Sequence, residues 1–170
     1  MKARHGSGRQ FVSVTGALAA LSIVAIVFVP IWSVAIPPLV DYPNHLARAY
    51  IVANLPASDD LKAFYQANWS ATPYLAMDAI VAPLARFMPV EVAGKIFLSL
   101  TLLLIALAPL ALSAALFGRV TPIALLGPLF AHNTAVSLGF LNYVFSLGFA
   151  VCLLALWIRL RGTRGWIRLT

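Results

Sequence analysis

The sequence predicts an all-α, polytopic membrane protein with about four transmembrane helices and a large external first loop. Three observations predict it. Of the 170 residues, 62% are hydrophobic and only 10% charged, with a mean hydropathy of +0.92, whereas an average soluble domain is roughly 45–50% apolar. Residues 10–40, 96–118 and 120–158 contain no Asp, Glu, Lys or Arg, and each stretch can cross a hydrocarbon core that needs about 20 apolar residues. The last is long enough for two passes. Finally, the charges are sorted along the chain. Lys2, Arg4 and Arg9 precede the first stretch, Arg119 divides the second from the third, and Arg159, Arg161, Arg164 and Arg168 follow the last. All five acids, Asp41, Asp59, Asp60, Asp78 and Glu91, fall between the first and second stretches. Basic loops stay cytoplasmic, so both termini and the turn at 119 are expected inside and the acidic segment outside the membrane. The formal charge of +7 is therefore a topology signal, and no nucleic-acid partner is expected.

Each element follows in order. Residues 1–10 form a cytoplasmic tail, and 11–36 the first span, ended by Pro37-Pro38. That run exceeds the roughly 7–15 apolar residues of a signal peptide, and no cleavage site interrupts it, so it reads as an uncleaved anchor. Residues 37–90 are too charged to cross and should lie on the external surface, with amphipathic helices over 43–55 and 74–88. Between them Ser58 is placed to cap a short helix running to about Asn68. Pro83 should break the second amphipathic helix. The triplet Asn68-Trp69-Ser70 fits a glycosylation acceptor, a pattern too common to carry weight.

The second span is expected over 91–118, with Glu91 favourably placed in its first turn and spaced to pair with Lys95. A third, 121–137, begins at Pro122, a favoured first-turn residue, and a fourth covers 140–159. They meet in an external turn within "HNTAVSLGFLNY", 132–143, where His132, Asn142 and Tyr143 interrupt the apolar run. "SLGF" occurs at 137–140 and again at 146–149, and its small residues suit close helix approach. Cys152, the only cysteine, forms no internal disulfide and reads as a packing residue. Residues 160–170 are cytoplasmic, and the chain as a whole, a single membrane domain, is expected to be the amino-terminal part of a longer protein.

The chemistry concentrates in "LVDYPNHLARAYIVANL", 39–55. If a helix begins near Pro43, positions 41, 45, 48 and 52 share one stripe, which groups Asp41, His45 and Arg48, while Leu46, Tyr50 and Ala53 lie elsewhere, toward the spans or the lipid interface. A carboxylate or an imidazole can act as general base or metal ligand, and a guanidinium grips phosphate oxygens through two bonds. Together they suit a phosphorylated lipid headgroup, and they are expected to face a water-filled cleft partly roofed by the 132–143 turn, with His132, Asn142 and Tyr143 in its lining. The plainer alternative is Asp41 as a helix cap before Pro43, His45 as a surface imidazole, and Arg48 reaching toward lipid phosphates. A divalent cation at Asp41 and His45 is compatible with the residue types, but too few ligands are visible to assign one.

A first span followed by a large external loop, whose start carries the acid of "VDYPNHLAR", resembles the amino-terminal part of the GT-C superfamily of membrane glycosyltransferases. The wording "DYPNHLAR", "LAMD" and "GFLNY" is similar to bacterial multi-span proteins of that broad group. The resemblance implies that Asp41 is the catalytic carboxylate, that the donor is a polyprenyl-phosphate-linked sugar, and that transfer occurs on the external face. Tyr42 stands where many members have a second acid, which leaves Asp78 as the other candidate carboxylate, because Asp59 and Asp60 look like a solvated first-turn pair. Members of the group carry more spans than this, so these 170 residues alone are expected to be inactive. Two other classes compete: a non-catalytic membrane scaffold or assembly subunit, and a lipid-handling transporter. A transporter is expected to carry ionisable groups inside its spans, and here only Glu91 and Lys95, at the mouth of the second span, come close.

Overall fold

The computed structural model describes residues 22, 24–70 and 74–163. The expected cytoplasmic tail, the first half of the first span and residues 164–170 lie outside them. Every regular element among the described residues is helical. The described part of the first helix, α1, covers 24–32. It stops four residues short of the expected end, because Ser33 already closes the last turn on the Val29 carbonyl and Pro37-Pro38 favour extended backbone beyond.

Helix α2, Tyr42–Asn54, starts with Pro43 in its first turn and buries Tyr42, Leu46, Ala49 and Ala53. Those spacings of four, three and four form one stripe, which packs into the core and leaves the stripe of Asp41, His45 and Arg48 free. A 3-10 turn, Leu55–Ala57, leads to α3, Asp59–Phe64. Ser58 caps α3 as expected, its hydroxyl accepting from the Leu61 N–H at 3.3 Å, although the helix ends at Phe64 and not near Asn68. Helix α4, Leu75–Leu84, closes one residue after Pro83.

Helix α5, Val90–Phe117, and helix α7, Leu141–Thr163, are the long apolar ones. Both are long and apolar enough to cross a membrane, and in the most apolar window of each only 39% and 28% is buried. A core helix of a soluble protein would be mostly covered by its neighbours, so most of this apolar surface faces outward. The two helices pack side by side. Phe97 stacks on Phe145 with ring centroids 5.1 Å apart, and a Cβ at Gly148 would lie 2.9 Å from Leu104 Cβ, so the second "SLGF" does mark a close approach of helices.

These pairings run in the same direction along both helices, so α5 and α7 are parallel and the chain between them must travel back. It does so without the single α-helix expected over 121–137. Pro122–Phe130 is a 3-10 helix, followed by a single α-turn, α6, Thr134–Ser137. Pro122 and Pro128 lack N–H groups and restrict the backbone, and the 3-10 form rises about 2.0 Å per residue, so fewer residues cover the same height. The register is fixed at both ends: Ser113 bonds Thr121 at the foot of α5, and the Ser137 carbonyl accepts from the Val40 N–H at the head. In between, His132 Nε2 lies 3.1 Å from the Val27 carbonyl of α1.

The mouth of α5 also departs from expectation. Lys95 does not pair with Glu91; its ammonium donates to the Val34 carbonyl and lies over the Trp32 ring, 5.6 Å from the centroid. Trp32 in turn donates to Ser99 Oγ at 3.0 Å. These contacts fasten the end of α1 to the head of α5, and the exposed carbonyls past α1 gain a cationic donor.

Candidate functional site

A cleft of about 520 Å³ opens at the head of the bundle, lined by Asp41, His45, Arg48 and Asp78 with Asn142 and Tyr143. Its volume lies within the roughly 300–1,000 Å³ common for small-molecule sites. Helix α2 supplies one wall, α4 the second, and the start of α7 the third.

Asp41 immediately precedes α2, but its side chain caps nothing: φ is −96° and ψ −1°, and no side-chain cap bond forms. Both carboxylate oxygens are engaged otherwise. Oδ1 accepts from Asn44 Nδ2 at 2.8 Å, and Oδ2 lies 3.2 Å from His45 Nε2. The carboxylate thus keeps free lone pairs, and at 42% exposed it remains open to the cleft, whereas the His45 side chain is 17% exposed. The backbone is held as well, since the N–H groups of Val40 and Asp41 donate to the carbonyls of Ser137 and Leu138.

Arg48, one helical turn further on, pairs with Asp78 of α4 at 2.6 Å. Asp78 is 8% exposed and Arg48 57%, so the carboxylate is the buried partner and the guanidinium the one that reaches solvent. The expectation of Asp78 as a second free carboxylate is therefore modified: it is committed to Arg48, which keeps its other N–H donors available on the cleft side. Asn142 is 3% exposed, and its Oδ1 accepts from the Met77 N–H at 2.8 Å. Met77 is the third residue of α4, so Asn142 satisfies one of the donors that every helix start leaves open, and it fixes α4 one residue before Asp78.

Tyr42, at the position where a second acid was sought, is fully buried, and its hydroxyl has no hydrogen-bond partner among the described residues. Burial first, and then the negative charge of Glu91, push its phenol well above the ordinary range. It is a packing residue pointing away from the cleft, toward Gly94 of α5. His132 is also outside the cleft; it lines a separate cavity of about 210 Å³ with Ile31, Leu98 and Leu102. The expected roof of residues 132–143 is therefore contributed only by its end, 140–143, because the earlier part lies against α1.

Sequence reasoning missed Tyr74, Phe140 and Leu141 of the lining, and Gly139 behind Asp41. Tyr74 had a readable signal, standing one helical turn before Asp78. The other three depend on a long-range contact and had none. Among the described residues no three His, Cys, Asp or Glu side chains converge as a metal site would require. No family model, no curated protein and no solved structure matches the chain.

Proposed function

We propose that the cleft is the catalytic part of a membrane glycosyltransferase, of the kind the GT-C resemblance implies, which moves a sugar from a polyprenyl-phosphate donor to an acceptor hydroxyl on the external face. The observation that carries this reading is the half-exposed Asp41 carboxylate, held at both oxygens and free of any capping duty, beside a guanidinium anchored by a buried carboxylate. In the reaction the acceptor oxygen bonds to the sugar's anomeric carbon, and the bond from that carbon to the phosphate oxygen breaks. The electron pair leaves with the polyprenyl phosphate, and the acceptor proton passes to Asp41. His45 orients the Asp41 carboxylate through its contact with Oδ2, and the free donors of Arg48 meet the phosphate, where a planar fork suits two oxygens.

Location supports the same reading. The cleft lies at the end of the bundle where α5 and α7 begin, so a lipid-linked donor anchored beside those helices presents its headgroup at this level. We place α1, α5, the 3-10 return and α7 as four crossings of a bacterial inner membrane, both termini cytoplasmic. The return favours this, since Ile123, Leu125, Leu129 and Phe130 are all more than half exposed and lipid is the solvent that accepts such a surface.

The test is Asp41→Asn, in the longest natural form of the protein, assayed for sugar transfer from a polyprenyl-phosphate donor to a cell-envelope acceptor extract. An amide cannot take the proton, so the rate should fall by roughly 10²–10⁴-fold. Undiminished transfer would return the site to a scaffold or lipid-handling role.

A further inference from the structure

The stripe on α2 that carries Asp41, His45 and Arg48 does not end at Arg48. Val52 and Leu55 continue it, and a second groove of about 330 Å³ lies over them, closed by the segment 65–69. Arg48 borders both cavities. The two cavities thus adjoin at Arg48 and follow one another along α2, with about 10 Å of helix on either side of the guanidinium.

The second cavity differs in chemistry from the first. Apart from Arg48 no charged residue lines it among the described residues; it presents the rings of Tyr65 and Trp69 and the carboxamides of Gln66 and Asn68 above an aliphatic floor. Tyr65 is 50% and Trp69 59% exposed. Segment 65–70 has no regular structure, and among the described residues no hydrogen bond occupies the Gln66 or Asn68 side chain. Single-stranded nucleic acid also stacks on aromatic rings, but its backbone requires a basic track, which a lone Arg does not provide. A sugar matches each feature. Its C–H faces lie on aromatic rings, and its hydroxyls both donate and accept, as carboxamides do.

We propose that the groove formed by α2 and residues 65–69 is a carbohydrate subsite that receives a neutral sugar unit next to the Asp41 cleft. The proposal rests on the reading of that cleft as a sugar-transfer site and adds to it a second place for sugar: a neutral unit of the bound glycan lies along α2 on the far side of Arg48 from Asp41, away from the reacting hydroxyl.

The experiment uses the full chain in phosphatidylcholine nanodiscs, free of glycoside detergents, and saturation-transfer NMR with maltose, mannobiose and N,N′-diacetylchitobiose as probes. At least one disaccharide should receive magnetisation at its ring C–H protons. Trp69→Ala and Tyr65→Ala, both at exposed positions, should each weaken that binding about tenfold, the loss of one aromatic contact, and Gln66→Ala should weaken it less. Asp41→Asn should lower transfer by roughly 10²–10⁴-fold while sugar binding persists, which separates the two readings. Absence of binding to all three sugars, or binding unchanged in both aromatic variants, would overturn the subsite even if transfer by the wild type were demonstrated.

Discussion

Gly139 lies directly against Asp41: a Cβ at position 139 would stand 2.8 Å from both Asp41 Cβ and Asp41 N. The same glycine has φ of 88°, a region that residues with a side chain adopt at a cost. The turn between α6 and α7 therefore fits flush behind the carboxylate, and nothing larger than hydrogen fits between them. Gly139→Ala should cost about 1 kcal/mol or more from backbone strain alone and should displace Asp41 as well. Sugar transfer should fall further than the shift in thermal midpoint accounts for. A variant that loses stability yet keeps its full specific rate would show that the position of Asp41 is immaterial.

Tyr42 gives a prediction of opposite sign. Its buried hydroxyl lacks a partner, and leaving such a group unsatisfied costs roughly 1–3 kcal/mol. Tyr42→Phe should therefore be neutral or stabilising in thermal unfolding, with transfer retained. Loss of transfer without loss of stability would give the hydroxyl a chemical role after all.

The ion pair between Arg48 and Asp78 joins α2 to α4. Asp78→Asn should loosen the guanidinium, and Arg48→Lys keeps the charge but not the fork. Because Arg48 is more than half exposed, the coupling energy in a double-mutant cycle should be about 1 kcal/mol or less. The larger effect is expected on the apparent affinity for the polyprenyl-phosphate donor, read as a raised KM in both single variants. An unchanged KM would remove Arg48 from the phosphate site.

Asn142 acts at a distance through the backbone of α4. Asn142→Ala deprives the Met77 N–H of its acceptor, at a cost of about 1–3 kcal/mol. Amide hydrogen exchange should accelerate first over 75–84, whereas α5 should remain protected. Uniform acceleration over the whole chain would mean that Asn142 is an ordinary core residue.

The proposed topology is checked by single-cysteine labelling in a chain lacking Cys152. A cysteine replacing Asp59, whose side chain is 98% exposed, should react with an impermeant reagent added to intact cells with a permeabilised outer envelope. One replacing Arg161 should react only after the inner membrane is opened. The reverse pattern would invert the molecule and move the cleft inside.

Local pattern was sufficient for several parts of this protein. The long charge-free runs marked α5 and α7, Pro83 marked the end of α4, Ser58 announced its own cap, and the spacing 41, 45, 48 set three polar side chains on one stripe of α2, because helical periodicity is a property of neighbours in the chain. What periodicity cannot carry is a partner distant in sequence. Only the tertiary structure decided that Asp78 is the mate of Arg48, that Asn142 caps α4 from another helix, that Lys95 turns from Glu91 to the end of α1, and that His132 lies against α1 and outside the cleft. The return from α5 to α7 was likewise not legible in composition: its apolar run fits an α-helix, but Pro122 and Pro128 withhold two N–H donors, and the chain takes a 3-10 helix between contacts at Ser113 and Val40.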